Sequence, residues 1–355
     1  MRWLIPALLA ATLAMSSTSS TRAATNPTGF TPINDLGPNL YLNQYQGGLY
    51  PNGSNAMPAT HAGVGNARAA AVVPRDFTGA PDASGKYVLL SIGMSNTTQE
   101  FSTFIIQAAG DARVNQTTLR LVDGASGGQT AGTWDSPTDA NYDRVRDQEL
   151  APLGLTEAQV QVAWVKVANA QPTSSLPNAN ADANTLVQQM GNIARALETR
   201  YPNLQQVFFS SRIYAGHATT TLNPEPYAYE SAFAVKRVIE AQIDQMDGLG
   251  IDPLAGSLDY DAGAPWLAWG PYLWADGTNP RSDGLTWLAS DLAADGTHPS
   301  ATGRQKVSNL LMDFMLASPQ TQSWFAVPEP GGATAALGLA TVFFLSRRRS
   351  ACRPL

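Results

Sequence analysis

The sequence predicts one three-layer α/β/α domain with a mostly parallel central sheet of about five strands. Short, near-continuous apolar runs of strand length recur along the chain, as in strands covered on both faces. Segments with apolar residues at helical spacing separate them, the alternation that yields a parallel sheet. Polar or glycine-rich turns directly follow three of the runs, and sites in such sheets form at the carboxyl ends of strands.

The first run, Tyr87 to Ile92, ends in the turn Gly93-Met94-Ser95-Asn96, with a helix expected from Thr97 to Ala109. A second strand, Thr118 to Val122, runs into Asp123-Gly124-Ala125-Ser126-Gly127-Gly128. A third, Val160 to Val167, ends at Ala168-Asn169. From Ala183 to Tyr201 the residues Leu186, Met190, Ile193, Ala194 and Leu197 share one helical face, and Pro202 closes the helix. Val207 to Ser210 and Trp266 to Trp269 are the fourth and fifth strands. Helices are expected from Tyr227 to Met246 and from Gly303 to Leu316. Residues 25–85 show little periodicity and read as an entry segment packed on the domain, which itself spans 86–320.

Both ends read as addresses. Residues 1–24 join a basic start, an apolar run from Leu4 to Met15 and small residues ending at Ala23-Ala24, the pattern of a secretory signal peptide. The segment 327–355 carries Val327-Pro328-Glu329-Pro330, an apolar stretch from Gly331 to Leu345, then Arg347-Arg348-Arg349. An apolar stretch before a basic cluster is a weak stop-transfer anchor that leaves the arginines in the cytoplasm. The triplet, apolar stretch and arginine cluster, in that order, resemble the PEP-CTERM sorting signal of Gram-negative bacteria that make exopolysaccharide. The resemblance implies engagement of an export and sorting machinery, transient anchoring in the inner membrane, cleavage near the triplet, and a final place at the cell surface or in the matrix.

The 355 residues carry a formal charge of −6. Without residues 1–24 and 331–355 there remain 16 basic and 28 acidic residues, a charge of −12. Such a surface argues against a nucleic-acid partner, whose phosphates need basic contacts. The single cysteine, Cys352, lies in the tail, so the exported part has no thiol nucleophile and no disulfide framework. The three histidines are scattered, with no clustered metal-ligand set, and neither metal nor cofactor is expected.

A serine hydrolase needs a nucleophile, a base, a carboxylate to orient the base, and donors for the oxyanion. Only His61, His217 and His298 offer a base. His298 stands in Asp295-Gly296-Thr297-His298-Pro299 just before the last helix, and an Asp three residues ahead can reach the ring and fix its tautomer. Ser95 sits on a strand-to-helix turn, where a hydroxyl is exposed near a helix N-terminus, although Ser is also an ordinary helix cap.

These residues resemble the SGNH, or GDSL-type, hydrolase family. Its first block is matched by Gly93-Met94-Ser95, its last by Asp295 and His298. The second block's oxyanion glycine is best matched by Gly127, with Gly124 and Gly128 as competitors, and the third block's oxyanion asparagine by Asn169. Met94 and Asn96 replace the family's usual Asp and Leu, and Lys166-Val167-Ala168-Asn169 replaces Gly-x-Asn-Asp. The resemblance spans about 87–316 and implies an esterase working through an acyl-enzyme on Ser95, with Asp295 and His298 completing the triad.

Four tryptophans, Trp266, Trp269, Trp274 and Trp287, crowd the segment before Asp295. Aromatic faces stack on sugars, so Trp269, Trp274 and Trp287 are expected to bind substrate; the alternative is core packing. Asp276, Arg281 and Asp283 among them would bond hydroxyls or form a solvated loop. The expected function is hydrolysis of small acyl esters, acetyl above all, on polysaccharide. The rival readings are a lipid or fatty-acyl esterase and a noncatalytic glycan-binding matrix protein on this scaffold.

Overall fold

The computed structural model describes residues 27–327. The expected signal peptide and the expected sorting segment beyond Val327 lie outside the described residues. In chain order the elements are helix α1 (Ile33–Leu36), a hairpin of β1 (Leu40–Tyr41) and β2 (Tyr45–Gln46), α2 (Ala59–Ala71), β3 (Tyr87–Gly93), α3 (Ser95–Ala109), β4 (Leu119–Asp123), α4 (Ala140–Arg144), β5 (Val160–Lys166), α5 (Asp182–Arg200), β6 (Gln206–Phe209), α6 (Tyr227–Met246), β7 (Trp266–Trp269), α7 (Ala301–Ala317) and α8 (Gln322–Phe325). The five sheet strands lie within one residue of their expected ends.

Strands β4-β3-β5-β6-β7 form one sheet in which every neighbouring pair is parallel. β3, β5, β6 and β7 are buried along their whole length because helices cover both faces, α3 packing on α7 and α5 on α6. That burial is why these strands read as continuous apolar runs. The chain starts in β3, steps to β4 on one side, then returns past β3 to β5. Strand order reverses there, and the loops leaving β3, β4 and β5 diverge to leave a crevice at the carboxyl ends.

One buried ion pair fixes α3 on the sheet. Lys166, the last residue of β5, donates from Nζ to Glu100 Oε1 of α3 at 2.6 Å and also to Oε2, and both side chains are fully buried. Burial pushes the Glu100 carboxyl up and the Lys166 ammonium down, and each charge opposes the shift in the other.

The entry segment is more structured than expected. α2 escapes a hydrophobic-periodicity search because its buried residues are His61, Gly65 and Ala69, small or polar side chains at four-residue spacing. Ahead of it, Thr28 donates from N and Oγ1 to Asp276 Oδ1, and Phe30 stacks on Tyr229 with ring centroids 4.9 Å apart. Tyr41 donates to Glu230 Oε1 at 3.2 Å, and Leu176 N–H donates to Glu230 Oε2 at 2.9 Å. Burial pushes the carboxyls of Glu225 and Glu230 up to about 7.

Two outcomes follow. Lys166→Met strands the Glu100 charge in the core and should cost about 3–5 kcal/mol in urea unfolding, whereas the double change Glu100→Leu, Lys166→Met should recover most of that loss. Glu230 has a folded pKa above its unfolded one, so its contribution is complete below about pH 4.5 and is lost as pH rises through about 7. The stability difference between Glu230→Gln and the parent should therefore move in favour of the variant between pH 5 and pH 8. A difference that stays flat across that range counts against this account.

Candidate active site

Ser95 stands at the first position of α3, directly beyond the carboxyl end of β3. The approach is tight: a Cβ on Gly93 would lie 2.3 Å from the Lys166 carbonyl oxygen and 2.4 Å from Thr97 Oγ1, so only glycine lets β3 end so close to β5. The first-turn N–H groups of α3 have no partner inside the helix and carry the positive end of its dipole, with the Ser95 hydroxyl above them, partly exposed.

His298 arrives from the loop between β7 and α7. Its Nε2 lies 2.8 Å from Ser95 Oγ, and its Nδ1 lies 2.5 Å from Asp295 Oδ2. The same carboxylate accepts from the backbone N–H of Thr297 and of His298 through Oδ1, each at 3.0 Å. Burial pushes the Asp295 carboxyl up, but these hydrogen bonds together outweigh it and hold the group below the usual carboxylate range. A carboxylate on Nδ1 leaves Nε2 unprotonated and facing Ser95, the tautomer a base requires.

Two contacts hold that loop in place. Asn96, beside the nucleophile, donates from Nδ2 to the Thr297 carbonyl at 2.9 Å, in a buried position. Thr219 N–H donates to the Asp295 carbonyl at 2.9 Å. Gly296 has φ of +63°, and a Cβ there would lie 1.9 Å from the His217 carbonyl oxygen, which explains the glycine between Asp295 and Thr297. Asn96 was visible in the sequence only as a polar residue where the resembled family has Leu; its partner, two hundred residues away, left no local signal.

The loop after β4 reaches the same place. Ser126 N–H donates to the Gly93 carbonyl at 3.1 Å, and Gln129 N–H closes a turn on the Ser126 carbonyl. Gly127 and Gly128 sit on that exposed turn, and among the described residues their N–H groups donate no hydrogen bond. Gly124 is buried, and its carbonyl accepts from Arg144 Nη2. Asp123 ties the loop to α3, accepting from Ser91 Oγ at 2.6 Å, Ser102 Oγ at 2.8 Å and Thr98 Oγ1, and from the Ala125 N–H at 3.2 Å.

Two expectations need correction. Asn169 lies beyond β5 as expected, but its Nδ2 donates to Asp182 Oδ1 at 3.1 Å and Gln189 Oε1 at 2.8 Å, so both amide hydrogens are spent on α5 and none is left for an oxyanion. Trp269, Trp274 and Trp287 are not a substrate wall. They are 3%, 0% and 0% exposed, with Trp266 also at 0%, and their indole N–H groups are satisfied by Leu49 O, Glu225 Oε1 and Leu273 O. Nearby, Arg281 is buried and forks onto Asp283, while Asp276 is buried and holds the Thr28 segment, so both serve packing. His61 is buried against Trp266 with Nε2 on the Leu267 carbonyl, and His217 packs edge-on against Tyr214 beside the Asp295 loop. Among the described residues no group of three or more His, Cys, Asp or Glu is placed to hold a metal ion.

No protein-family model matches the chain, and no curated protein matches it. Solved structures that resemble it include a protein of Parabacteroides merdae named as a GDSL-like lipase, with 10% identity, 64% of this chain and 94% of that one covered, and a TM-score of 0.33. A protein of Bacteroides fragilis named as an acylhydrolase has 13% identity, coverage of 73% and 97%, and a TM-score of 0.35. The extracellular lipase of Streptomyces rimosus has 15% identity, coverage of 64% and 99%, and a TM-score of 0.30. The functional reading rests on the geometry of Ser95, His298 and Asp295.

Proposed function

We propose that the protein is a serine esterase whose nucleophile is Ser95. The observation that carries this reading is the unbroken chain from Ser95 Oγ through the His298 ring to Asp295. His298 Nε2 takes the hydroxyl proton as Ser95 Oγ attacks the ester carbonyl. The tetrahedral oxyanion lies against the N–H groups of Ser95 and Gly127, at the positive end of α3. Collapse of this intermediate breaks the bond to the alcohol, which leaves with the proton from His298. Water, deprotonated by the same nitrogen, then attacks the acyl-enzyme and releases the acid. Asp295 stabilises the imidazolium formed in both halves.

The substrate we favour is a small acyl ester, acetyl above all, on a polysaccharide outside the cell. Support comes from the terminal segments, whose resemblance to a signal peptide and a PEP-CTERM tail points to export into an exopolysaccharide setting. The buried tryptophans no longer lend support, so acyl-chain length becomes the deciding measurement against a lipid esterase. A steep preference for p-nitrophenyl acetate over the octanoate favours the carbohydrate reading, and the reverse order favours lipid.

Ser95→Ala should lower kcat for p-nitrophenyl acetate by at least about 10³-fold with the melting temperature little changed, and should abolish labelling by a fluorophosphonate. Asp295→Asn should lower kcat by about 10²–10⁴-fold with KM nearly constant, since it acts through the His298 tautomer. Full activity in Ser95→Ala would remove the nucleophile assignment and with it the mechanism.

A further inference from the structure

We infer that the cleft behind the β4 loop is the subsite for the alcohol part of the substrate, and that it takes a hydroxyl-rich, carbohydrate group. The cleft has a volume of about 470 Å³ and lies between the 129–133 turn and the start of α4. Its polar walls are Gln129, Thr133, Asp139, Asn141, Arg144 and Gln148. No aromatic side chain and no aliphatic one larger than alanine lines it.

Its position ties it to the reaction. Ser126 is hydrogen-bonded to Gly93, two residues before the nucleophile, and Gln129 closes the turn that starts at Ser126. The cleft thus opens one β-turn from the proposed oxyanion donor Gly127.

Its chemistry selects the ligand. Asn141 Nδ2 holds Gln129 Oε1 at 2.7 Å and the Thr133 carbonyl at 3.0 Å, which fixes the walls. Arg144 is held by Glu149 and by the Gly124 carbonyl. With Oε1 held, the Gln129 amide hydrogens donate to nothing among the described residues, and Gln148 is exposed. Sugar hydroxyls both donate and accept, so they can satisfy these amides and the Asp139 carboxylate together. An alkyl chain would desolvate them without replacing their hydrogen bonds. The assignment depends on Ser95 being the nucleophile, since that defines which bond the cleft faces.

The test uses the full-length protein, p-nitrophenyl acetate, and a panel of acetylated xylose-, mannose- and glucosamine-based oligosaccharides. Ala140→Trp fills the cleft from an exposed position, and the milder pair Asp139→Asn, which keeps an acceptor for the Ser136 N–H, and Gln148→Leu weakens the cleft's hydrogen bonding without adding bulk. Each should lower kcat/KM for the best oligosaccharide about five- to tenfold or more, through KM, while p-nitrophenyl acetate changes by less than about twofold. Equal loss on both substrates, no loss on either, or no oligosaccharide turned over better than p-nitrophenyl acetate overturns the assignment. Calorimetry of the deacetylated oligosaccharides on Ser95→Ala protein separates this from the esterase reading. Binding that all three substitutions leave unchanged overturns the cleft, whereas inert p-nitrophenyl acetate with binding that they weaken overturns only the nucleophile.

Discussion

The hydrogen bond from Asn96 Nδ2 to the Thr297 carbonyl, 2.9 Å long and shielded from water, is the contact on which the catalytic geometry depends. Its two residues are the chain neighbours of Ser95 and His298. Locking the neighbours locks the reacting atoms, because each is one peptide unit from the bond. Ser95 and His298 are 203 residues apart in the chain, and a distance of 2.8 Å between their side chains survives only if the backbones carrying them cannot drift. The bond is strong in effect because it is dry: breaking it would leave an amide and a carbonyl unsatisfied in the core.

The same logic extends outward from that bond. Gly93 lets β3 end against the Lys166 carbonyl, Lys166 holds Glu100, and Glu100 lies one turn further along the helix that Ser95 begins. On the other flank Asp123 collects hydroxyls from β3 and α3 and a backbone N–H from the loop that carries Gly127. A charge pair and a carboxylate with four donors are costly to bury, and neither is needed to fill space. Their value is directional, since apolar packing alone would let α3 slide by a fraction of an ångström that the hydrogen bonds do not permit.

This explains which parts were legible in the sequence. Strands β3, β5, β6 and β7 are buried on both faces and announce themselves as apolar runs, and α5 and α6 show helical spacing. Helix α2 is hidden because small and polar residues make its buried face. Ser95, Asp295 and His298 could be proposed because strand-to-helix turns and a three-residue spacing are local patterns. Asn169 misled for the complementary reason: its place after β5 is local, but its amide is claimed by Asp182 and Gln189, which only the fold brings near. The tryptophans misled because composition reports aromatic surface without saying which side of the backbone is solvated. Their indole partners, Leu49, Glu225 and Leu273, show the rings were drawn into the packing of the entry segment, the turn before α6 and the β7 loop.

Rigidity and selectivity are therefore assigned to different stretches of chain. Ser95, His298 and Asp295 sit on elements pinned by buried hydrogen bonds, such as that from Asn96 to the Thr297 carbonyl. The connection from β4 to β5, 36 residues from Gly124 to Gln159, bonds to Gly93 and Ala168 at its root and buries Ala131, Trp134, Tyr142, Val145 and Leu150 in the core, leaving the Gly127-Gly128 turn and Gln148 exposed. It carries both the glycine turn tied to the end of β3 and the polar cleft beside that turn. A connection anchored by those buried side chains can change its exposed cleft residues without moving the glycine turn, so the proposed alcohol subsite would be set by residues outside the chain of Ser95, His298 and Asp295. That separation accounts for a cleft lined by Gln, Asn, Thr and Asp on the same connection as a turn tied to β3, while Asn96, Glu100 and Lys166 behind Ser95 are buried.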